Sequence, residues 1–381
     1  MRELVAVSSP DVLGALGAAL DGTGPALLPI GPGETAISSL TGPVEDEIAL
    51  VVATSGSTGQ PKGVLLSAAA LRASAEATHA RLGGPGTWLL ALSAHHIAGV
   101  QVLIRSLLAG SEPGVLTGQG FRPSAFADAA RAVLDRAGRH YTSLVPTQLV
   151  RLLADGGAGL EALAAFDGVL LGGAATPAEL LSQARAAGVS AVTTYGMSET
   201  CGGCVYDGIP LDGVRVRLDE DGRISLSGPV LASGYRGASP TSAFAEGWFH
   251  TNDLGQVEPD GRLTVLGRAD DMIISGGVNV APALVERVLC AEPDVLEACV
   301  FGLPDPEWGQ LVAAVVVPAD QAAPPSSARL RALVSDRLGG PFAPKRIAVV
   351  PELPLRGPGK VDRRALAATM INMKNSGIIS R

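Results

Sequence analysis

The sequence predicts an α/β protein with a large N-terminal domain of layered α/β sheets that includes a small β subdomain, and a small α+β domain at the C-terminus. Three observations support this prediction. The chain has 381 residues, which exceeds one ordinary compact core. Its first half alternates apolar runs of strand length with helical segments, as in parallel sheets covered by helices. Beyond about Val205, apolar residues alternate with period two between turns, as in antiparallel hairpins.

Strand-then-helix units recur along the first half of the chain. Residues 48–53 form an apolar run that predicts a buried strand, followed by a loop over 54–63 and a helix over 67–81 with Ser67 as its N-cap. Two further units pair a strand over 88–92 with a helix over 97–108, and a strand over 168–171 with a helix over 177–187. The first 40 or so residues show mixed helix and loop signals.

The second half contains the hairpin signals and the predicted domain boundary. Strands are expected over 214–218, 223–227 and 262–266, each next to a turn rich in Asp, Glu and Gly. A charged break begins at Arg268. The sequence therefore predicts an N-terminal domain over 1–268, a C-terminal domain over 269–369, and a disordered or foreign tail over 370–381, where methionine and asparagine are frequent.

Composition excludes several classes of protein. The net charge of −8 argues against a nucleic-acid partner, because phosphate backbones select basic surfaces. Neither a signal-peptide core nor a run of ~18 apolar residues is visible, which predicts a cytoplasmic protein without a membrane partner. The composition leaves a homodimer open. Any anionic ligand must be held by a few placed cations and backbone N–H groups.

The spacing of the cysteines gives little support for a metal site. Cys201 and Cys204 have the spacing of a metal knuckle, but the other two cysteines form no second close pair, so reduced thiols are favoured over a zinc site.

Basic residues total 29, of which only four are lysines: Lys62, Lys345, Lys360 and Lys374. Because the chain uses arginine for general positive charge, a lysine in a glycine-rich loop indicates a need for a slim point charge.

The strongest local signal is the glycine- and hydroxyl-rich segment 54–63, which follows the apolar strand. Glycines let the backbone N–H groups approach an anion, hydroxyls add donors, and Lys62 adds charge. The segment is not a Walker loop, since Pro61 precedes the lysine and Gly63 follows it. A flexible Ser/Gly linker is the alternative, but a linker needs neither the buried strand nor the lysine.

This segment resembles the phosphate loop of the adenylate-forming superfamily, which includes acyl- and aryl-CoA ligases, luciferases and peptide-synthetase adenylation domains. Five further segments follow in the family's order, at 172–176, 194–200, 247–253, 276–279 and 356–363. The resemblance covers most of the chain, but only 53 residues precede the phosphate loop, so it implies an abbreviated first subdomain. It implies the adenylate-forming fold with a mobile C-terminal domain.

The resemblance also assigns the nucleotide site. Tyr195 would pack on adenine, Asp253 would accept hydrogen bonds from the ribose, and Glu199 would bind Mg²⁺, a hard cation that prefers carboxylates. Arg268 would contact the ribose or a phosphate. The implied ATP-binding set is Thr54, Ser55, Gly56, Ser57, Thr58, Gly59, Lys62, Gly173, Ala174, Thr194, Tyr195, Gly196, Thr200, Asp253 and Arg268.

The C-terminal motifs imply a second half-reaction. Asp270 matches the family's hinge, and Gly276, Gly277 and Asn279 match the loop that enters the site when coenzyme A reacts. Lys360 matches the catalytic lysine that bridges the carboxylate and the α-phosphate during adenylation. Catalysis would thus depend on Lys360, His96 and Glu199.

The acid pocket is implied by a third group of residues. His96 matches the family histidine beside the acid, and Gly172 and Gly196 would also line the pocket. His95 is equally consistent with a core-lining histidine. Arg105 follows His96 by nine residues inside an apolar helix, where a charge is costly unless paired, so it indicates an acid with a second carboxylate. The alternative is that Arg105 points to solvent.

The resemblance implies an AMP-forming ligase that uses ATP, Mg²⁺ and coenzyme A, and ligases for the diacid 2-succinylbenzoate are similar around the His95–His96 pair and Arg105. Three alternatives stay open. A ligase for another aryl or fatty acid would share every motif except the argument from Arg105. A stand-alone adenylation domain would load a carrier protein. A regulator would bind ATP without releasing pyrophosphate, which the presence of Lys360 and Glu199 disfavours.

Overall fold

The computed structural model describes residues 1–55, 61–118, 120–237, 243–356 and 360–375. The strands are β1 (Leu4–Ser8), β2 (Ala26–Ile30), β3 (Ile48–Ser55), β4 (Pro61–Ser67), β5 (Thr87–Leu90), β6 (Gly114–Val115), β7 (His140–Leu144), β8 (Gly168–Leu171), β9 (Ala191–Met197), β10 (Gly202–Tyr206), β11 (Ile209–Pro210), β12 (Arg215–Leu218), β13 (Arg223–Ser227), β14 (Gly234–Arg236), β15 (Phe244–Ala245), β16 (Trp248–Val257), β17 (Leu263–Arg268), β18 (Ile273–Ser275), β19 (Val278–Val280), β20 (Val295–Asp305), β21 (Gly309–Pro318), β22 (Arg346–Val349), β23 (Leu355–Arg356) and β24 (Lys360–Val361).

The helices lie between these strands. They are α1 (Val12–Asp21), α2 (Ala68–Leu82), α3 (Ile97–Leu108), α4 (Pro123–Leu134), α5 (Pro146–Asp155), α6 (Ala158–Ala164), α7 (Ala178–Ala186), α8 (Pro282–Leu289), α9 (Ser327–Leu338) and α10 (Arg363–Asn375). Helix α2 begins as the sequence predicts, because the Ser67 side chain accepts a hydrogen bond from the backbone N–H of Ala70 at 3.2 Å. No helix among the described residues is long and apolar enough to cross a membrane.

Two sheets form the larger part of the molecule. The first has the order β1-β2-β3-β4-β14, and the second has the order β11-β10-β9-β8-β7-β5-β6. In the second sheet the pairs from β9 to β6 are parallel, while β10 joins β9 antiparallel. Helices α1 to α3 fill the core between the two sheets, and α4 to α7 pack on the other face of the second sheet. This layering confirms the predicted α/β fold class.

The β subdomain and the C-terminal part are built from separate sheets. A sheet of order β12-β13-β16-β15, with β17 on β16, contains the predicted hairpin, in which Val216 pairs with Leu226. From Ile273 onward the chain forms the sheet β19-β18-β21-β20, with β22 on β21. Each face of the long β20–β21 hairpin has its own apolar cluster.

Three expectations are corrected by the structure. The first 40 residues contain the paired strands β1 and β2, which the mixed signals did not reveal. The predicted loop over 54–63 is narrower, since β3 extends to Ser55 and pairs with β4, which begins at Pro61. The predicted tail begins too early, because α10 continues to Asn375 and Met370 is only 2% exposed. Cross-strand and core contacts, which no local pattern encodes, explain all three.

Candidate active site

Lys62, Glu199 and Tyr235 form a compact polar cluster. The Lys62 ammonium lies 3.3 Å from Oε1 of Glu199 and 3.6 Å from the centre of the Tyr235 ring. The Tyr235 hydroxyl donates to the same carboxylate oxygen at 2.7 Å. Burial, followed by the Glu199 charge, raises the pKa of Tyr235 well above its usual value, so this hydroxyl keeps its proton and remains a donor.

The fold brings these three residues together from distant parts of the chain. Lys62 lies near the start of β4, at the end of the phosphate segment, and β14, which carries Tyr235, pairs with β4. Glu199 lies in the short 3-10 helix Ser198–Thr200 directly after β9. The carboxyl ends of parallel strands are where ligands bind in sheets of this type. The cluster therefore brings together Lys62 and Glu199, which the sequence assigns to the ATP phosphates and the metal.

A second set of polar side-chain contacts extends from β9 to the start of the C-terminal part. The Tyr195 hydroxyl donates to Oδ2 of Asp253 at 2.8 Å, and Arg268 lies 3.7 Å from Oδ1 of Asp253. Arg268 also donates two hydrogen bonds of 2.8 Å to Asp270. The predicted adenine, ribose and hinge residues are thus neighbours. The ion pair between Arg268 and Asp270 is half-exposed. It connects the predicted nucleotide-binding residues to the predicted hinge.

Several predicted positions require glycine because backbone segments approach closely. A Cβ on Gly172 would lie 2.5 Å from the Thr194 hydroxyl oxygen, and a Cβ on Gly196 would lie 2.1 Å from the Gly202 carbonyl oxygen. Gly173 has a φ of +81°, a left-handed conformation that side chains disfavour. Ala174 follows it on the exposed surface. The surroundings of Gly172 and Gly196 therefore leave no room for a side chain beside β9.

Thr200 has a different environment from the one expected of an ATP ligand. It is fully buried, and its hydroxyl accepts from the Met197 N–H at 3.0 Å and contacts the Gly202 carbonyl at 2.7 Å. This hydroxyl holds the turn that presents Glu199. Thr54, in contrast, lies at the end of β3, where its hydroxyl contacts the Lys62 carbonyl at 3.3 Å.

His95 and His96 lie at the entrance to α3, next to a cavity of about 260 Å³. Their rings are 4.1 Å apart, and His96 occupies the N-cap position of α3. The cavity is also lined by Glu34 and by Ala53 of β3. Burial lowers the pKa of His95, an effect that the Glu34 charge partly opposes, so His95 is neutral near pH 7.

Arg105 lies inside the molecule and does not face solvent. It is 3% exposed, its guanidinium carbon is 4.9 Å from the centre of the Trp88 ring, and Nη2 lies 3.5 Å from the Tyr206 hydroxyl. Among the described residues no carboxylate pairs with it, and its Nε has no hydrogen-bond partner. The structure therefore excludes the solvent-facing alternative and leaves a buried positive charge without an acidic partner.

Arg105 shares one face of α3 with two residues nearer to the histidine pair. Ile97, Gln101 and Arg105 are spaced by four residues and so share that face. A Cβ on Gly202 of β10 would meet Gln101 at 3.5 Å and Ile97 at 4.0 Å. Arg105 lies about 13 Å beyond His96 along the helix axis, but helical side chains lean back toward the N-terminus. Gly202 thus packs against the same face of α3 that carries Arg105.

His79 adds a pH-dependent contribution to stability beside this arginine. Burial and then Arg105 lower its pKa from 6.5 to about 4. Between these two values the unfolded chain binds a proton that the folded protein does not, so stability falls as the pH drops through this window. Lowering the pH from 7 to 4 should reduce the free energy of unfolding of both proteins. We expect the reduction to be about 3 kcal/mol smaller for His79→Gln than for the parent chain. Urea unfolding at a series of pH values checks this, and parallel pH profiles would contradict it.

The C-terminal glycine loop is a tight turn between β18 and β19. Gly276 and Gly277 have φ values of +57° and +81°, and Asn279 is exposed. A Cβ on Gly276 would lie 2.7 Å from the Trp308 ring, and the Lys345 ammonium lies 5.0 Å from the centre of that ring. The loop therefore has a rigid aromatic support, which the sequence reasoning missed.

Other predicted residues have limited structural descriptions. Lys360 lies in β24, where its backbone pairs with that of Arg356 in β23. Of the phosphate segment, Ser55 is the last residue of β3. The predicted ATP contacts Gly56, Ser57, Thr58 and Gly59 lie outside the described residues. Sequence reasoning also missed Tyr235 and Tyr206, whose only signal would have been aromatic residues near a charged motif.

Comparisons with known proteins identify the family. Residues 33–236 match the model of the AMP-binding enzymes, and residues 284–360 match the AMP-binding enzyme C-terminal domain. The chain is 50% identical over 365 residues to the probable 2-succinylbenzoate–CoA ligase of Mycobacterium tuberculosis, covering 93% of this chain and 94% of that protein. It is 36% identical over 348 residues to the 2-succinylbenzoate–CoA ligase of Geobacillus kaustophilus, covering 84% of this chain and 69% of that protein.

A solved structure agrees with these relatives. The o-succinylbenzoate CoA synthetase of Bacillus subtilis, in complex with its acyl-adenylate intermediate, superposes with a TM-score of 0.72 at 27% identity, covering 95% of this chain and 82% of that one. The matched ranges include Lys62, Glu199 and Tyr235 at one end and Lys360 at the other. The chain therefore belongs to the family of AMP-binding enzymes.

Proposed function

We propose that the chain is an ATP-dependent ligase that adenylates 2-succinylbenzoate and transfers the acyl group to coenzyme A, releasing pyrophosphate and AMP. The observation that carries the choice of acid is the buried Arg105, which has no acidic partner among the residues that the structure describes. A charge in such a place is costly unless a ligand supplies the counter-charge. Relatives that are 50% and 36% identical bear the name of this activity.

The first half-reaction forms the mixed anhydride. An oxygen of the succinyl carboxylate attacks the α-phosphorus, the new O–P bond forms, and pyrophosphate leaves with the electrons of the broken P–O bond. Lys62 and Lys360 supply positive charge next to the oxygens on which negative charge grows. Tyr195, Asp253 and Arg268 hold the nucleoside. The hydrogen bond from Tyr195 to Asp253 and the ion pair between Asp253 and Arg268 keep these side chains in place before ATP binds.

Magnesium fits the polar cluster as a companion of the nucleotide. In this proposal Glu199 supplies the one carboxylate ligand, which suits a cation that keeps waters and phosphate oxygens as its other ligands. No group of three potential metal-binding side chains occurs in the part of the chain that the structure describes. When bound, the ion would neutralise phosphate charge. Lys62 holds the Glu199 oxygen at 3.3 Å and would move toward the phosphates.

The second half-reaction transfers the acyl group. The sulfur of coenzyme A attacks the acyl carbon, the C–O bond to AMP breaks, and AMP leaves with that electron pair, while the thiol proton passes to a base or to water. In our proposal the part of the chain beyond Asp270 rotates, which withdraws Lys360 and presents Gly276, Gly277 and Asn279. The ring carboxylate stays unreacted beside Arg105.

A direct assay tests the proposed function. Incubation with 2-succinylbenzoate, ATP, Mg²⁺ and coenzyme A should yield one thioester, identified by mass, together with one AMP per thioester. A panel of other aryl and fatty acids should react far more slowly. Rapid turnover of a simple benzoate or fatty acid, or transfer to a carrier protein without reaction with free coenzyme A, would overturn the assignment. The cytoplasmic location and the homodimer stay predictions.

We expect Glu199→Gln to weaken the metal dependence of ATP binding. Replacing the carboxylate removes the negative charge that attracts the ion, so ATP affinity measured by calorimetry should gain little from added Mg²⁺. Affinity without metal should change by less than about threefold, since the amide keeps the shape of the side chain. Glu34→Gln, at the histidine cavity, is the matched control. An unchanged response of the Glu199 variant to Mg²⁺ would remove this residue from the metal site.

A further inference from the structure

A buried group of polar side chains surrounds Arg105 between α2, α3, β5 and β10. It consists of Thr78 and His79 of α2, Trp88 of β5, Gln101 of α3, and Tyr206 of β10. All are less than 9% exposed. Four polar atoms here have no hydrogen-bond partner among the described residues: His79 Nε2, Trp88 Nε1, Gln101 Oε1 and Arg105 Nε. Such groups are expensive to leave unsatisfied, so their concentration in one place indicates a function.

The hydrogen bonds in this group have a defined direction. The Thr78 hydroxyl donates to the Ser74 carbonyl at 2.9 Å, so its single proton is already used. Tyr206 lies 2.9 Å from the Thr78 oxygen and must therefore donate to it. The remaining lone pair of the Tyr206 oxygen can accept from Nη2 of Arg105, 3.5 Å away. The chain of donors thus runs from the guanidinium to the backbone of α2.

We propose that Tyr206 is a positioning residue that aims the Arg105 guanidinium at the second carboxylate of the acid. This inference rests on the proposed function. A carboxylate at this place would orient the arginine but also cancel its charge, whereas the neutral hydroxyl orients the arginine and leaves the charge for the substrate. The face of the Trp88 ring packs against the guanidinium and stabilises its position. Tyr206 itself has no proton to give to the substrate, so it acts only through Arg105.

The test compares two acids with the same reacting carboxylate. Benzoylpropionate has the succinyl chain and ring of 2-succinylbenzoate but lacks the ring carboxylate. Tyr206→Phe should raise the KM for 2-succinylbenzoate about fivefold to tenfold, the loss of one hydrogen bond, and leave kcat and the KM for ATP unchanged. The kinetics with benzoylpropionate should not change. Thr78→Val, which removes the acceptor for the tyrosine proton, should shift the same KM in the same direction.

A matched control separates positioning from general core damage. Tyr141 is a second buried tyrosine against Trp88, with ring centres 5.0 Å apart, but its hydroxyl donates to the carbonyls of Leu82 and Gly84. Tyr141→Phe should leave the KM for 2-succinylbenzoate unchanged. The inference is overturned if Tyr206→Phe and Thr78→Val leave this KM unchanged, or if they affect both acids equally. If the parent protein forms no thioester from 2-succinylbenzoate, the proposed function itself has failed.

Discussion

Lys360→Ala should abolish adenylation of 2-succinylbenzoate while largely sparing thioester formation from a supplied acyl-adenylate. The lysine is expected to neutralise charge only while pyrophosphate leaves, so its loss should reduce pyrophosphate release by about 10²- to 10³-fold. In the second step the anhydride is already formed, and under our proposal the segment that carries β24 has rotated away from the site. The two steps are followed separately, by pyrophosphate release and by the mass of the thioester.

Lys374→Ala is the matched control for this experiment. It removes another of the four lysines from the same region of the chain, in α10, and should leave both steps unchanged. Equal losses in the two half-reactions of Lys360→Ala would contradict the proposal that the C-terminal part uses different residues for each step.

Arg105→Met should raise the stability of the protein and weaken its use of 2-succinylbenzoate. Methionine fills a comparable volume without the cost of burying a charge, and no acidic partner of Arg105 occurs in the described ranges, so the free energy of unfolding should rise by about 1–3 kcal/mol. The KM for 2-succinylbenzoate should rise by about 10- to 100-fold, because a charged hydrogen bond to the ring carboxylate is lost. The KM for ATP should stay the same. Urea unfolding and steady-state kinetics provide the two measurements.

Arg2→Met supplies the opposite control. The Arg2 guanidinium donates to the backbone carbonyls of Ala19 and Gly24 at 2.7 and 2.8 Å, so its loss should reduce stability and leave the KM for the acid unchanged. If Arg105→Met instead destabilises the protein and spares the KM, Arg105 is a structural residue and the choice of a diacid substrate loses its main support.

Many elements could be predicted from the sequence because their signals are local. Helix α3 and strand β8 have the predicted bounds, and Ser67 caps α2 through a hydrogen bond that spans three residues. Strand β4 was missed because its Pro-Lys-Gly start reads as a loop, whereas pairing with β3 and β14 on both sides decides its conformation. Residue periodicity cannot report such partners, which lie up to about 170 positions away along the chain.

The sequence by itself determined which residue types are available for chemistry: a glycine- and hydroxyl-rich segment with a lysine, a carboxylate predicted to bind a metal, and a second lysine near the C-terminus. Residue types carry that information because charge, hydrogen-bonding capacity and size belong to each side chain. Only the tertiary structure decided that Tyr235 donates a hydrogen bond to Glu199, and that Arg105 is buried beside Tyr206 with no carboxylate of the described chain paired to it. Burial and partners arise from the packing of β14 on β4 and of α3 on β10, and packing is a property of the folded chain.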